Sequence, residues 1–152
     1  MKLVKATTDN IDLLCGIANQ AKGYWDYPQD FLDKCRAYFE KEFTAEYLEK
    51  SHTYLIQVSG KTVGMGALLM DKEEGPMIDQ FWLFPEHIGK GYGKQAFGLF
   101  TDKASQLGWG SLTIISDIYA EGFYRAMGSK RIGEFKSEVQ DSMLPKMFLK
   151  LV

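Results

Sequence analysis

Between Leu83 and Phe97 the chain reads LFPEHIGKGYGKQAF, an apolar run halted by Pro85 and followed by three glycines at alternate positions. An amphipathic helical pattern comes next, so the segment predicts a strand, a glycine loop and a helix in that order. Glycine at every second position lets the backbone turn without Cβ clashes and lets a ligand approach the N–H groups closely. The helix adds its own unpaired N–H groups and the positive end of its dipole. Gly89, Lys90, Gly91, Tyr92, Gly93 and Lys94 together form a candidate cradle for phosphate oxygens, with Lys90 and Lys94 as cations. A plain turn joining a strand to a helix has the same glycines, so the rest of the chain must decide.

Two common phosphate motifs do not fit. A P-loop requires Ser or Thr after its Gly-Lys, where Gln95 stands, and a glycine five residues before Gly93, where Ile88 stands. The dinucleotide fingerprint places its last glycine where Lys94 stands. A second block, Ala120-Glu121-Gly122-Phe123-Tyr124-Arg125-Ala126-Met127-Gly128, puts Ala120, Phe123, Tyr124 and Met127 on one helical face. Gly128 follows where a left-handed residue would stop that helix.

The two blocks, in this order, resemble the GNAT superfamily of N-acetyltransferases. Its pyrophosphate loop reads Arg or Gln, two residues, Gly, one residue, then Gly or Ala. Ile88 to Gly93 matches at Gly91 and Gly93, and Ile88 stands where Arg or Gln is usual. The later signature of the family is a helix carrying Phe-Tyr and ending at glycine. The resemblance runs over nearly the whole chain and is strongest from Met77 to Glu134.

Residues 1–152 read as one domain, long enough to bury a core. With 45% hydrophobic and 25% charged residues the composition is that of a globular chain. A net charge of −2 gives no nucleic-acid footprint, and no apolar run is long enough to span a bilayer. No signal peptide is evident and a cytoplasmic location is expected. Cys15 and Cys35, the only cysteines, fall on apolar helical faces as small hydrophobes, and His52 and His87 offer no metal-ligand spacing.

Along the chain the pattern predicts a strand at Lys2–Ala6 and a helix from Thr7 or Thr8 to near Gly23. A second helix starts at Pro28, with Leu32, Cys35, Phe39 and Phe43 buried. Thr53–Val58 and Lys61–Met70 form a hairpin at Ser59-Gly60, and Met77–Phe84 reads as a central strand. The helix Gly89–Leu107, the strand Ser111–Ser116, the helix Tyr119–Met127 and the strands Lys130–Lys136 and Met143–Leu151 complete the order. This is α/β with a mixed, mostly antiparallel sheet flanked by helices. A dinucleotide-binding unit starting at Met77 would have only 76 residues to the end, too few for two βαβαβ halves.

The resemblance implies an acetyl-CoA-dependent N-acetyltransferase with a splayed central strand pair. In that fold a bulge splays the Met77–Phe84 strand, so the backbone of Phe81, Trp82 and Leu83 is expected to hold the acetyl and pantetheine arm. Tyr124 is the candidate acid for the leaving thiolate, since a phenol's pKa near 10 lies close to a thiol's near 8.5. A core aromatic with a paired hydroxyl is the competing role. Asp79 is the candidate general base, with Glu86 the other nearby carboxylate. Asp117 ends its strand beside the expected cofactor path, either touching the cofactor or capping a helix. Tyr24, Trp25, Asp26 and Tyr27 offer aromatic faces and a carboxylate to an ammonium-bearing acceptor. They equally suit a staple across the interhelical turn. The expected partner is an amine-bearing acceptor, with no metal, nucleic acid or membrane, and a homodimer is compatible with the reading. The alternative from another class is a non-catalytic CoA-binding or regulatory protein that keeps the fold without turnover.

Overall fold

The computed structural model describes residues 1–139 and 142–152. Seven strands form one sheet in the order β1-β2-β3-β4-β5-β7-β6. These are β1 (Lys2–Lys5), β2 (Ser51–Val58), β3 (Lys61–Asp71), β4 (Gly75–Leu83), β5 (Ser111–Ile115), β6 (Lys130–Lys136) and β7 (Met143–Lys150). Every neighbouring pair is antiparallel except β4 and β5, which the helix α4 (Tyr92–Gln106) joins as a parallel crossover. α1 (Ile11–Gly23), α2 (Gln29–Glu42) and α3 (Ala45–Lys50) cover one face; α4 and α5 (Glu121–Ala126) cover the other. The expected mixed α/β architecture is what folds.

Strand alternation sorts the core into two layers. Leu55, Met65 and Ala67 pack under Leu14, Ile17, Cys35 and Phe39 on the first face. Ile56, Leu68 and Ile78 pack under Phe97, Phe100 and Ala104 on the second. Gly66 permits the close approach of α4, because a Cβ there would lie 2.4 Å from the Phe100 ring. The β2–β3 turn has Ser59 at φ 52° and Gly60 at φ 77°, the backbone of a type I′ hairpin.

Local departures from the sequence reading have identifiable causes. The last helix of the glycine region starts at Tyr92 rather than Gly89, because Gly89 and Gly91 adopt left-handed φ values of 86° and 80°. Pro28 is the N-cap of α2, and Phe31 takes the buried position expected of Leu32, giving Phe31, Cys35 and Phe39 a four-residue spacing. α3 has no counterpart in the sequence reading. It is a six-residue helix capped by the Thr44 hydroxyl, which accepts from the Tyr47 N–H at 3.2 Å. Tyr119 and Ala120 lie in the turn before α5, not in the helix.

Two irregularities of β4 set up the site. Opposite Ala67 and Leu68 the register slips, so that Ala67 faces Gln80, Leu68 faces Ile78, and Asp79 is the extra, bulged residue. On its other side β4 pairs with β5 at one position only, Met77 with Thr113, and beyond it the two strands part. The splayed pair expected from the family resemblance is therefore present.

Candidate active site

The glycine loop begins after one 3₁₀ turn, Pro85–His87, and an extended Ile88. No protein atom lies within 4 Å of where a Cβ would stand on Gly89 or Gly91, so the loop is open on that side. The first N–H groups of α4 have no intrahelical acceptor, and Lys90 and Lys94 are exposed beside them. An open, left-handed loop feeding a 15-residue helix can receive the oxygens of a phosphate-rich ligand. Gly93 serves packing instead: a Cβ there would meet the Phe123 ring at 3.2 Å, so its absence lets α5 close on α4. Tyr92 packs against the buried His87 ring, with centroids 5.9 Å apart. Burial, reinforced by Lys90 and Lys61, pushes the His87 pKa down and keeps the imidazole neutral.

Where β4 and β5 part, a cleft of about 50 Å³ opens between Asp79, Phe81 and Trp82 on one strand and Ile114 and Ile115 on the other. Ala120 and Tyr124 close it from the α5 side. Beyond Met77, the β5-facing edge of β4 has no ladder partner among the described residues, which leaves the backbone of Phe81 and Leu83 available there, while that of Trp82 faces Met65 of β3. Their side chains are structural. Phe81 packs on Phe97, Phe100 and Phe123; the Trp82 indole N–H donates to Gln80 Oε1 at 2.6 Å; Leu83 joins the α4-side core.

Tyr124 is 6% exposed and packs edge-on against Phe123 and at a tilt against Phe97. Its hydroxyl makes no hydrogen bond to another described residue. Burial, with Asp117 nearby, pushes its pKa well above the ordinary phenol value, so it remains a proton carrier at neutral pH.

On the α1–α2 face a cavity of about 710 Å³ adjoins this cleft and shares Asp79, Trp82, Ile115 and Asp117 with it. The bulge is the reason Asp79 reaches both. With one extra residue in β4, Asp79 and Gln80 are consecutive yet both line the large cavity. The Tyr47 hydroxyl donates to Asp79 Oδ2 at 2.6 Å. Burial raises the Asp79 pKa above its ordinary value, and the Tyr47 bond partly opposes this.

Asp117 is held by three partners. The Lys22 ammonium pairs with Oδ2, while the Tyr27 hydroxyl (2.8 Å) and the Tyr119 N–H (2.9 Å) donate to Oδ1. The last bond closes the turn before α5; the expected alternative of a helix cap is not met, because Ala120 is the N-cap of α5 and no side chain caps that helix. The Lys22 ammonium also sits over the rings of Tyr27, Phe31 and Trp82, at 4.8, 5.5 and 5.8 Å from their centroids.

Of the four residues between α1 and α2 offered for the acceptor, the fold brings only Tyr27 to the cavity. Trp25 stacks flat on Tyr119, centroids 5.1 Å apart, and Tyr24 packs edge-on against Trp25. Asp26 is exposed and contributes its backbone carbonyl to the Tyr119 hydroxyl at 3.4 Å. Those three staple the α1–α2 turn to the turn before α5. Glu86 is exposed and lines neither cavity; its carboxylate is 3.8 Å from His87 Nε2. Lys22, Tyr38, Glu42, Tyr47 and Glu138 were not singled out in the sequence, although all but Tyr47 line the large cavity. Among the described residues no three His, Cys, Asp or Glu side chains are grouped closely enough to hold a metal ion, and no helix is long and apolar enough to cross a membrane.

Comparison with known proteins adds the family. The model of the acetyltransferase (GNAT) family matches residues 19–128. No curated protein sequence matches. Among solved structures, a GCN5-related N-acetyltransferase from Rhodopseudomonas palustris superposes with a TM-score of 0.83 at 17% identity, covering 99% of this chain and 95% of that one. PaiA N-acetyltransferase from Thermoplasma acidophilum, solved with coenzyme A, gives 0.76 at 14% identity over 98% of both chains. GCN5 from Tetrahymena gives 0.73 at 15% identity over 100% of this chain and 97% of that one.

Proposed function

The chain belongs to the GNAT acetyltransferase family, and from that premise we propose that it moves an acetyl group from acetyl-CoA to a primary amine by direct attack. One observation carries the reading: the narrow cleft between β4 and β5 and the large cavity beside it meet at Asp79, Trp82, Ile115 and Asp117. A thioester in the first and an amine in the second would face each other across that junction.

Acetyl-CoA supplies the activated acyl thioester, held by the glycine loop at Gly89, Gly91 and the N-terminus of α4, and by the free edge of Phe81 and Leu83. The chain's own groups supply the proton movements. Asp79, bulged into the junction, accepts a proton from the attacking ammonium, directly or through water. Its raised pKa makes it a stronger base than a solvated aspartate. Tyr124 holds the proton that the departing sulfur needs, on a hydroxyl with no competing partner among the described residues. The ring packing around Tyr124 fixes its position, and closure of the cleft by α5 excludes water.

The test is thiol release from acetyl-CoA across a panel of primary amines, with CoA affinity measured in parallel by calorimetry. Turnover on at least one amine is expected. Stoichiometric CoA binding with no turnover on any acceptor would instead establish a non-catalytic CoA-binding protein.

A further inference from the structure

His87 is a buried titratable side chain for which the proposed transfer has no use. It is 6% exposed, and neither ring nitrogen has a hydrogen-bond partner among the described residues. A neutral imidazole carries one N–H donor and one acceptor, and leaving both unmet inside the protein is costly. What the ring gains instead is a position. It closes the 3₁₀ turn Pro85–His87, in which the His87 N–H donates to Phe84 O at 3.0 Å and the Ile88 N–H to Pro85 O at 3.1 Å. The ring rests on Tyr92, the first residue of α4, with centroids 5.9 Å apart. Ile88, Gly89, Lys90 and Gly91 are therefore strung between two side chains that touch. That contact ties off the base of a loop whose glycines hold left-handed φ values of 86° and 80° with nothing within 4 Å of their missing Cβ.

The tie suits a neutral ring only. An imidazolium carries two N–H donors and no acceptor, and the surrounding described residues offer neither donor a partner. The charged groups acting on the ring are Lys61 at the start of β3, Lys90 in the loop and Glu86 in its own turn, while α4 presents the Tyr92 phenol. Two of the three are cations that oppose a further positive charge. The one carboxylate is exposed and stands 3.8 Å from Nε2, beyond hydrogen-bond reach. Burial, then Lys90 and Lys61, hold the His87 pKa below the ordinary 6.5. The closed loop thus binds fewer protons than an opened one. Its stability is full above 6.5 and is lost as pH falls through the lowered value.

Resting on the acetyl-CoA reading above, we propose that His87 is a positioning residue for the glycine loop and a proton-operated latch on it: the neutral ring keeps Gly89 and Gly91 in the shape that receives phosphate oxygens, and protonation drives the ring off Tyr92, loosens the loop and releases the cofactor. Affinity for a pyrophosphate ligand then falls on acidification, opposite to what a histidine in direct contact with phosphate would give.

The probe is dephospho-coenzyme A, whose pyrophosphate keeps its charge where the ribose phosphate of coenzyme A would itself titrate. Calorimetry at about pH 7.5 and about pH 5 should show the protein losing at least about fivefold in affinity on acidification. His87→Phe keeps an aromatic ring against Tyr92 but cannot take up a proton, so its loss should shrink to less than about twofold. Thermal melts at both pH values report that each protein is folded. A second measurement needs neither variant nor cofactor: in an NMR titration of the free protein, the Gly89 and Gly91 amide shifts should move with the midpoint of the His87 ring. An equal loss of affinity in both proteins, a rise on acidification, or loop amides that ignore the His87 midpoint would overturn the latch. Absence of dephospho-coenzyme A binding at either pH, with the loop amides still following His87, would support the latch and overturn the acetyl-CoA reading instead.

Discussion

The Tyr47 hydroxyl donates to Asp79 Oδ2 at 2.6 Å, tying a short capped helix to the bulge of the central strand. The bond stabilises the ionised carboxylate against a burial that favours the neutral acid. Tyr47→Phe should therefore raise the Asp79 pKa further and move the acid limb of the kcat/KM profile to higher pH. A pH–rate series on the two proteins checks this; an unmoved limb would remove Asp79 from the role of base.

Asp79 also links stability to pH in an uncommon direction for a carboxylate. Its folded pKa lies above the ordinary 3.8, so between 3.8 and that raised value the folded state binds more protons than the unfolded one. Its contribution to stability is greatest below 3.8 and falls as pH rises through the folded pKa. Asp79→Asn should gain stability relative to the parent as pH rises through that window, while losing roughly 10²-fold in turnover. Thermal melts of the two proteins from acid to neutral pH would show the difference curve.

Tyr124→Phe removes one hydroxyl and leaves its packing on Phe97 and Phe123. Turnover should fall about 10²-fold with little change in acceptor KM. The melting temperature should barely move, because no described residue loses a hydrogen-bond partner. Normal turnover would return Tyr124 to the core.

Gly91→Val should weaken CoA binding by at least about tenfold in calorimetry. The loss comes from backbone conformation rather than collision: Gly91 sits at φ 80° with nothing near its missing Cβ, and a left-handed side-chain-bearing residue costs about 1–2 kcal/mol. Lys90→Ala should cost less, since its exposed charge is screened.

Lys22→Met should destabilise the fold by about 3 kcal/mol, the lower range for breaking a buried ion pair, because Asp117 keeps Tyr27 and the Tyr119 N–H. Adding Asp117→Asn should recover part of the loss. Denaturant titrations of the two variants give the comparison, and additive losses would refute the pairing.

The glycine loop, the Ser59-Gly60 hairpin and the crossover from β4 through α4 to β5 were legible because glycine, turn chemistry and apolar periodicity act locally. Asp79 and Tyr124 were legible because each interrupts or follows an apolar run that fixes its element. Tyr47 was not. α3 has six residues, too short for a periodic signal, and its importance arises from a contact 32 positions away. Lys22 and Glu42 read as ordinary solvated charges on amphipathic helices until α1 and α2 close over the sheet. Tyr24, Trp25 and Asp26 carry suitable chemistry for an acceptor, but the stacking of Trp25 on Tyr119 spends it on a turn.

Because Met77 and Thr113 are the one ladder pair between β4 and β5 among the described residues, the half-sheets β1 to β4 and β5 to β6 are joined there more by side-chain packing than by backbone hydrogen bonds. Any guest lodged between them acts as a keystone, adding to the stability of both halves at once by mass action, about 2.7 kcal/mol when it is present at 100 times its dissociation constant. Amide exchange along the open edge of β4 should slow with it, and the half-sheet carrying β5, β7 and β6 should cease to open independently of the rest.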